Sequence, residues 1–497
     1  MDNFKEYLFN LSRSLKSNRY KILLIFFIYL VAILSIGIIN FPYIDDVGRQ
    51  IHGYTCFAEH YCRWGSEVAS WIFQGSHHLT DMGLTTHIIT ASILAISSMI
   101  TVYVLNNKKF TWISSICSTL IGLNPWFLQC ISFRFDSPYF ALSILASVFP
   151  FLWWNEEENK KFFIASIFGI FAMCNTYQAS SGIYIIMVLA LIFKDLMSNH
   201  NFKDNYKKYF LSVISYIVAM GTYVIETKFN KELATRGDII KTASLKDIPS
   251  TIPKNIKLYL KSIYSQSSRI WIILFVLIVL VFIIFYIFKS KTNRIKNTLC
   301  VFLYLALESI FSYGVFLIFS ANLTAMSPRY YYGFGAFVAI TLILLSGESN
   351  KFIKYLNLTK NILICTFTYY ILSFNFTYAS MLSYQKDAFE RQSVILSADL
   401  KNIVNEQRKT IYMNRLFKDS PVLINSALNY PILHKLIDSN SLIYWPNTML
   451  FNTYSGLNVN ISSFDFSNFD ASSKVLEISN YYSDIFTEND LIYIIMK

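Results

Sequence analysis

Apolar residues gather into runs of bilayer length that recur through the first 380 positions, separated by short polar gaps. The runs place about eleven spans, since each crossing needs about 20 residues of helix. They lie near 22–40, 82–104, 112–131, 138–154, 162–174, 177–193, 209–226, 270–288, 298–320, 331–347 and 361–380. The run at 162–174 is short enough to be tilted or re-entrant. Ile22 to Ile39 follows Arg13, Lys16, Arg19 and Lys21 and has no small-residue cleavage site, so it reads as a retained helix rather than a signal peptide.

The gaps alternate in charge. Lys108–Lys109, Lys160–Lys161, Lys194 to Lys208, Lys289 to Lys296 and Lys351 to Lys360 are short and basic. The opposite gaps at 41–81, 132–137, 175–176 and 321–330 carry only Arg49, Arg63, Arg134 and Arg329 as strong bases. Basic loops stay in the cytoplasm, which puts residues 1–21 inside and the second set of gaps outside. Residues 227–269 form a long exterior segment in which Ile256, Tyr259, Leu260 and Ile263 share one helical face and Lys254, Lys257 and Lys261 another. An amphipathic helix on the membrane surface fits that pattern, either gathering an anionic lipid or resting on head groups.

Beyond about 381 the bilayer-length runs cease. A helical stretch, Gln385 to Glu406, is followed by strand-like ones such as Thr410–Met413 and Leu491–Met496. The expected organisation is a cytoplasmic segment 1–21, an all-α polytopic membrane domain 22–380 with exterior loops 41–81 and 227–269, and a small C-terminal α/β domain 381–497 outside the membrane.

Composition agrees with the membrane class: 54% of the 497 residues are hydrophobic and 15% charged, against roughly a quarter charged in soluble domains. Mean hydropathy is +0.40. The net charge of +12 lies in the cytoplasmic gaps and reports topology, not a nucleic-acid partner. The seven Cys contain no C-x-x-C pair. Cys56 and Cys62 share an exterior loop, where they either form a disulfide or stand unpaired.

The densest chemistry is Phe41-Pro-Tyr-Ile-Asp-Asp-Val-Gly-Arg-Gln-Ile-His-Gly-Tyr54, with adjacent Asp45 and Asp46 at the outer end of the first span. Carboxylates at a membrane boundary are costly if buried. Either one caps a helix starting near Val47, or one is a general base that takes a proton from an attacking hydroxyl. The second acid would then raise its neighbour's pKa or hold a divalent cation.

Glu59, Arg63 and Glu67 are spaced as if on one helical face, as surface pairs or with Arg63 steered toward a phosphate. Phe133-Arg-Phe-Asp-Ser-Pro138 offers Asp136 as an N-cap ahead of Pro, and Arg134 as an interfacial anchor or ligand. Tyr177 and Gln178 stand at an outer helix end, where polar groups can bind sugar hydroxyls. Ser327-Pro-Arg-Tyr-Tyr-Tyr-Gly333 sets Arg329 in an aromatic belt, as an anchor or at a lipid phosphate. Arg236 is a further exterior candidate. His77 and His78 are adjacent, without other ligands at metal spacing. No Walker or Rossmann motif appears, which disfavours a nucleotide-driven pump.

Tyr43-Ile-Asp-Asp-x-x-Arg-x-x-x-Gly-Tyr54, Arg63, Ser132-Phe-Arg-Phe-Asp-Ser137, Thr176-Tyr-Gln-Ala-Ser180 and Pro328-Arg329 occur in the order found in one family. Over roughly 20–380 the chain resembles the membrane-embedded O-antigen glucosyltransferases of the Gtr, serotype-converting, type. It departs from them in the first loop, reading Cys62-Arg-Trp-Gly65 in place of a Gly-Arg-Pro-like segment.

The resemblance implies a GT-C-like fold in the bacterial inner membrane, acting at the periplasmic face. It implies transfer of glucose from undecaprenyl-phosphate glucose, a polyprenyl-phosphate sugar donor, to a lipid-linked O-antigen acceptor, without an organic cofactor. By the same implication Asp45 and Asp46 are catalytic, and Arg49, Arg63, Arg134 and Arg329 are candidates for phosphate or sugar contacts. Glu67, Asp136, Tyr177, Gln178 and Arg236 complete the expected substrate-binding set. The competing readings are a polysaccharide polymerase and a lipid-linked-sugar flippase. A flippase would place ionisable groups near the bilayer midplane, where Glu308 is the clearest acid.

Overall fold

The computed structural model describes residues 13, 15–154, 159–198, 202–235, 241–288, 294–348 and 354–497. Arg236, and Lys289, Lys291 and Lys351 of the basic gaps, lie outside the described residues.

Helices dominate, as the apolar runs require. Among the described residues, six are long and apolar enough to cross a membrane: Arg19–Ile39, Thr85–Leu105, Gln178–Ser198, Asn205–Phe229, Arg269–Ile287 and Leu356–Leu400. Trp112–Ile121, Ser137–Trp153 and Gly333–Gly347 are shorter apolar helices. This is the architecture of a membrane protein with a small C-terminal sheet.

The pattern expects more spans than this because several runs are broken. The run at 112–131 forms a helix Trp112–Ser118, a 3-10 turn Thr119–Ile121 and, after a turn, a short helix Leu128–Ser132. Asn124 and Pro125 make the break: Asn124 Oδ1 accepts the Phe127 N–H at 3.1 Å, a side-chain turn that competes with helix. At 138–154 the helix Ser137–Val148 gives way to a 3-10 segment around Pro150. At the other end, 361–380 is part of one 47-residue helix, Lys354–Leu400, which also absorbs most of the separate stretch expected at 385–406.

The chain divides into two compact units, Met1–Ile38 with Thr55–Phe376, and Ile39–Tyr54 with Thr377–Lys497. In the first unit, the amphipathic helix is Ile248–Gln266. Its lysines 254, 257 and 261 are exposed, while Asn255, Tyr259, Ile263 and Gln266 are buried, a stripe of helical period. Asn255 Nδ2 donates to the carbonyls of Leu317 at 3.0 Å and Phe319 at 2.8 Å, and the Tyr259 and Ser312 hydroxyls are 2.8 Å apart. This face packs on protein.

The second unit holds a five-stranded mixed sheet. Its strands are β1 (Thr410–Met413), β2 (Asn460–Ser463), β3 (Val475–Ser479), β4 (Ser483–Glu488) and β5 (Leu491–Met496), in the order β2-β1-β5-β4-β3. β1 is parallel to β2 and β5, and β5-β4-β3 is antiparallel. Asn489, at φ +52°, turns the chain between β4 and β5, a left-handed position that Asn tolerates. The core under the sheet contains Phe389, Leu400, Ile411, Phe451, Ile485 and Ile494. It also contains Val47, from the segment 39–54.

Candidate functional site

In the second unit the two acids begin a helix, Asp45–His52. Neither is the cap residue. That position is Ile44, which makes no side-chain cap bond and sits at φ +43°, ψ −100°. A β-branched residue there is strained, and such strain persists only where the surroundings fix it. Here they do. The Tyr43 hydroxyl donates to Leu436 O at 2.6 Å, Lys386 Nζ donates to Ile39 O at 3.2 Å, and Val47 enters the core.

Asp46 is fully buried and accepts the Tyr43 N–H at 3.4 Å. Asp45 is half-buried and has no hydrogen bond or ion pair among the described residues. Both acids sit in the first turn, where the helix dipole favours negative charge. Arg49 is buried one turn on, with Nη1 donating to Tyr54 O at 3.3 Å.

The C-terminal segment adds groups the sequence reading missed. A Cβ on Gly48 would lie 2.4 Å from the Tyr54 hydroxyl and 3.5 Å from the Trp445 ring, so glycine admits both against the acid helix. Trp445 is 46% exposed. Tyr444 donates to Asp438 Oδ2 at 2.7 Å; burial first, then the Asp438 carboxylate, holds its phenol well above the ordinary value, with a smaller push from Asp45. A cavity of about 20 Å³ between Phe41–Val47 and residues 386–454 has room for about one water. Linear sequence carries no signal linking Trp445 to Asp45.

In the first unit the arginines are organised by aromatic rings. The Arg63 guanidinium lies 4.9 Å from the Tyr61 ring centroid and 4.7 Å from that of Tyr177, and its Nε is buried without a hydrogen-bond partner among the described residues. Arg329 lies 4.7 Å from the Phe133 ring. Its backbone N–H donates to Gln129 Oε1 at 3.0 Å, an oxygen that also accepts from the Ser327 hydroxyl. The Tyr177 hydroxyl contacts Arg329 O at 3.5 Å. Arg329, Arg63 and Asp136 all act electrostatically on Cys130. Arg63, Asp136, Tyr177 and Arg329 are thus brought together, around Gln129 and Cys130, which the sequence reading had not singled out.

Further side chains of this unit are held by partners of their own or left without one. Arg134 is ion-paired through Nε to Asp81 at 2.7 Å. Asp136 does occupy the cap position of Ser137–Val148, but its side chain makes no cap bond. Gln178 donates to the Tyr223 hydroxyl. Glu308 is fully buried, both carboxylate oxygens without a hydrogen-bond partner among the described residues.

Glu59, Arg63 and Glu67 do not share a helical face. The first helix, Phe57–Tyr61, ends at Cys62 in the left-handed conformation, and the next starts at Trp64. Glu67 folds back to cap the first helix, its Oε2 accepting the N–H groups of Phe57 at 2.8 Å and Ala58 at 3.1 Å. Its geometry is that of a brace. Glu67→Ala is expected to cost about 1.5–3 kcal/mol for the charge-assisted bonds. A lowered thermal midpoint in detergent with unchanged substrate KM checks this; a changed KM at unchanged stability would make Glu67 a ligand.

No disulfide joins Cys56 and Cys62. Burial, and after it the Glu226 carboxylate, hold the Cys62 thiol above its ordinary value. Cys62 borders a hollow of about 530 Å³ with Glu59, Trp64, Glu226 and Glu232. Among the described residues no three His, Cys, Asp or Glu gather as for a metal ion.

Long apolar helices, with a small sheet unit that carries the acid helix, define the class as an integral membrane protein. The chain belongs to the GtrII glucosyl transferase family, whose model matches residues 34–340, more than half of its length. A relative from Salmonella phage P22, an uncharacterized 55.3 kDa protein in the gtrB 5' region, is 27% identical over 236 residues, covering 46% of each chain. The chain thus spans about half the length of the curated relative it matches. No solved structure matches.

Proposed function

We propose that this chain is an inverting glycosyltransferase of GT-C-like plan with about eleven crossings, working at the periplasmic face of the bacterial inner membrane. It moves a sugar, glucose first, from a polyprenyl-phosphate donor to an O-antigen or related lipid-linked glycan. Family membership supports the reaction class, and the alternation of basic and neutral gaps supports the orientation.

The observation that carries the reading is Asp45, a half-buried carboxylate without a hydrogen bond or ion pair among the described residues, on a helix whose strained entry is fixed from three sides. In the reaction an acceptor hydroxyl oxygen bonds to the anomeric carbon as the bond from that carbon to the donor phosphate oxygen breaks. The hydroxyl proton passes to Asp45 and the electron pair leaves on the polyprenyl phosphate. Asp46 and Arg49 hold the helix. The leaving phosphate needs cations and no acid of its own; this role falls to Arg63 and Arg329, with Tyr177 orienting both.

The test is transfer of labelled sugar from polyprenyl-phosphate glucose to a lipid-linked glycan in membranes carrying the protein. Label in the glycan supports the assignment, and its absence with every polyprenyl-phosphate sugar overturns it. The acceptor whose hydroxyl gives its proton to Asp45 lies at the acid helix, and exposed Trp445, whose ring lies against Gly48 of that helix, is the proposed platform for its sugar ring. Trp445→Ala is then expected to raise acceptor KM about tenfold, a loss of about 1.4 kcal/mol, with donor KM unchanged. Equal changes in both KM values would remove Trp445 from the acceptor site.

A further inference from the structure

The first unit contains an apolar groove that none of the roles above uses. It encloses about 200 Å³ between the amphipathic helix Ile248–Gln266, the long apolar helix Arg269–Ile287 and the start of Gly333–Gly347. Leu260, Ile263, Ile272, Phe275, Phe334 and Val338 form much of its wall. An apolar cavity of about 150 Å³ holds a benzene molecule, so this one takes roughly two five-carbon units of a hydrocarbon chain.

The groove is polar at one margin. Trp126 lines it, and its buried indole Nε1 has no hydrogen-bond partner among the described residues. The Trp126 ring lies 5.5 Å from Phe334 and 6.5 Å from Tyr331, whose hydroxyl donates to Gln266 at the end of the amphipathic helix. One turn along the chain from Trp126, Gln129 holds the backbone of Arg329, and Cys130 feels both Arg329 and Arg63. A single short segment, 126–130, therefore joins an apolar groove to a pair of guanidinium groups. The exposed lysines 254, 257 and 261 of the amphipathic helix add positive charge along its outer face. The ligand that matches has a phosphate at one end and a hydrocarbon chain running directly from it.

We infer that this groove holds the phosphate-proximal isoprene units of a polyprenyl phosphate, with the phosphate at Arg329. The inference rests on the proposed donor class and adds where that donor's lipid lies. An isoprenoid attached straight to its phosphate fits this adjacency, whereas a glycerophospholipid interposes a glycerol backbone between phosphate and chains.

The experiment photolabels the full-length protein in detergent micelles with undecaprenyl phosphate carrying a diazirine in its first or second isoprene unit. Labelled peptides are expected from 260–275, 334–338 and Trp126, and excess unlabelled undecaprenyl phosphate should suppress them while excess phosphatidylglycerol does not. Labelling confined to other helices, or equal suppression by phosphatidylglycerol, overturns the inference, the latter marking a general lipid groove.

Leu260→Trp and Ile272→Trp, which fill the groove, are expected to raise KM for the long-chain donor about tenfold, about 1.4 kcal/mol. A donor with a methyl group in place of the isoprenoid, which has no chain to place in the groove, should be used as well as by wild type. Leu277→Trp, on an exposed part of the helix that carries Ile272, serves as the bulk control. Equal losses with both donors would overturn the inference. Labelling of the groove without sugar transfer would instead uphold the lipid site and sink the sugar reaction.

Discussion

Asp45→Asn is expected to abolish sugar transfer, lowering kcat by about 10²–10⁴-fold, the usual contribution of a positioned general base, with no change in thermal midpoint. The amide keeps the size of the carboxylate and removes only its capacity to take a proton. Because Asp45 makes no hydrogen bond or ion pair among the described residues, little structure depends on its charge. Asp46→Asn should behave differently. Its carboxylate is fully buried and accepts the Tyr43 N–H across the strained Ile44, so loss of charge there should lower the thermal midpoint along with activity. Transfer and differential scanning fluorimetry on the same preparations separate the two. Full activity in Asp45→Asn, with a silent and stable Asp46→Asn, would move the base to Asp46.

Arg329→Ala should be nearly as damaging. Removing one preorganised donor from a developing anion typically costs about 10²–10³-fold in kcat. The Arg329 guanidinium rests on the Phe133 ring while its backbone is pinned by Gln129, so the proposed role at a phosphate would need little reorganisation of the arginine. Arg329→Lys retains the charge but loses the planar fork and its stacking, and should recover less than a tenth of wild-type kcat/KM. Arg134→Lys is the informative contrast. Arg134 is already paired with Asp81, an exposed carboxylate that an ammonium can also meet, so donor KM should scarcely move. Full rescue by Arg329→Lys would show that a point charge suffices and that the planar fork contributes little.

Much of the architecture could be read from local pattern. Strands β1 and β5 fall on the strand-like stretches at 410–413 and 491–496, and the amphipathic helix occupies the segment whose apolar and basic faces separate. Hydrophobic runs mark membrane character well. They mark helix ends poorly, because hydropathy averages over Asn124-Pro125 and Pro150, where backbone hydrogen bonding fails.

The site was less legible for a different reason. Glu59, Arg63 and Glu67 have ideal helical spacing, yet Cys62 turns left-handed between them and converts Glu67 into a cap. Gln129 and Cys130 look like ordinary residues of an apolar run, and only the approach of Arg329, two hundred positions later, gives them a role. Trp445 and Tyr444 became visible only once the acid helix was found within the unit that contains them.

The seating of Val47 and Tyr43 among residues beyond 377 has a consequence for the timing of synthesis. The bond from Tyr43 to Leu436 joins positions 393 apart. At about 5–20 residues per second the ribosome needs roughly 20 to 80 s to travel that distance. Throughout that interval the acid helix lacks the surface that fixes it, so its two carboxylates are placed only after the preceding helices have been made. Competence arrives late and at once, when the C-terminal strands close over Val47. Such ordering leaves the acid helix unfixed until synthesis of the chain is nearly complete.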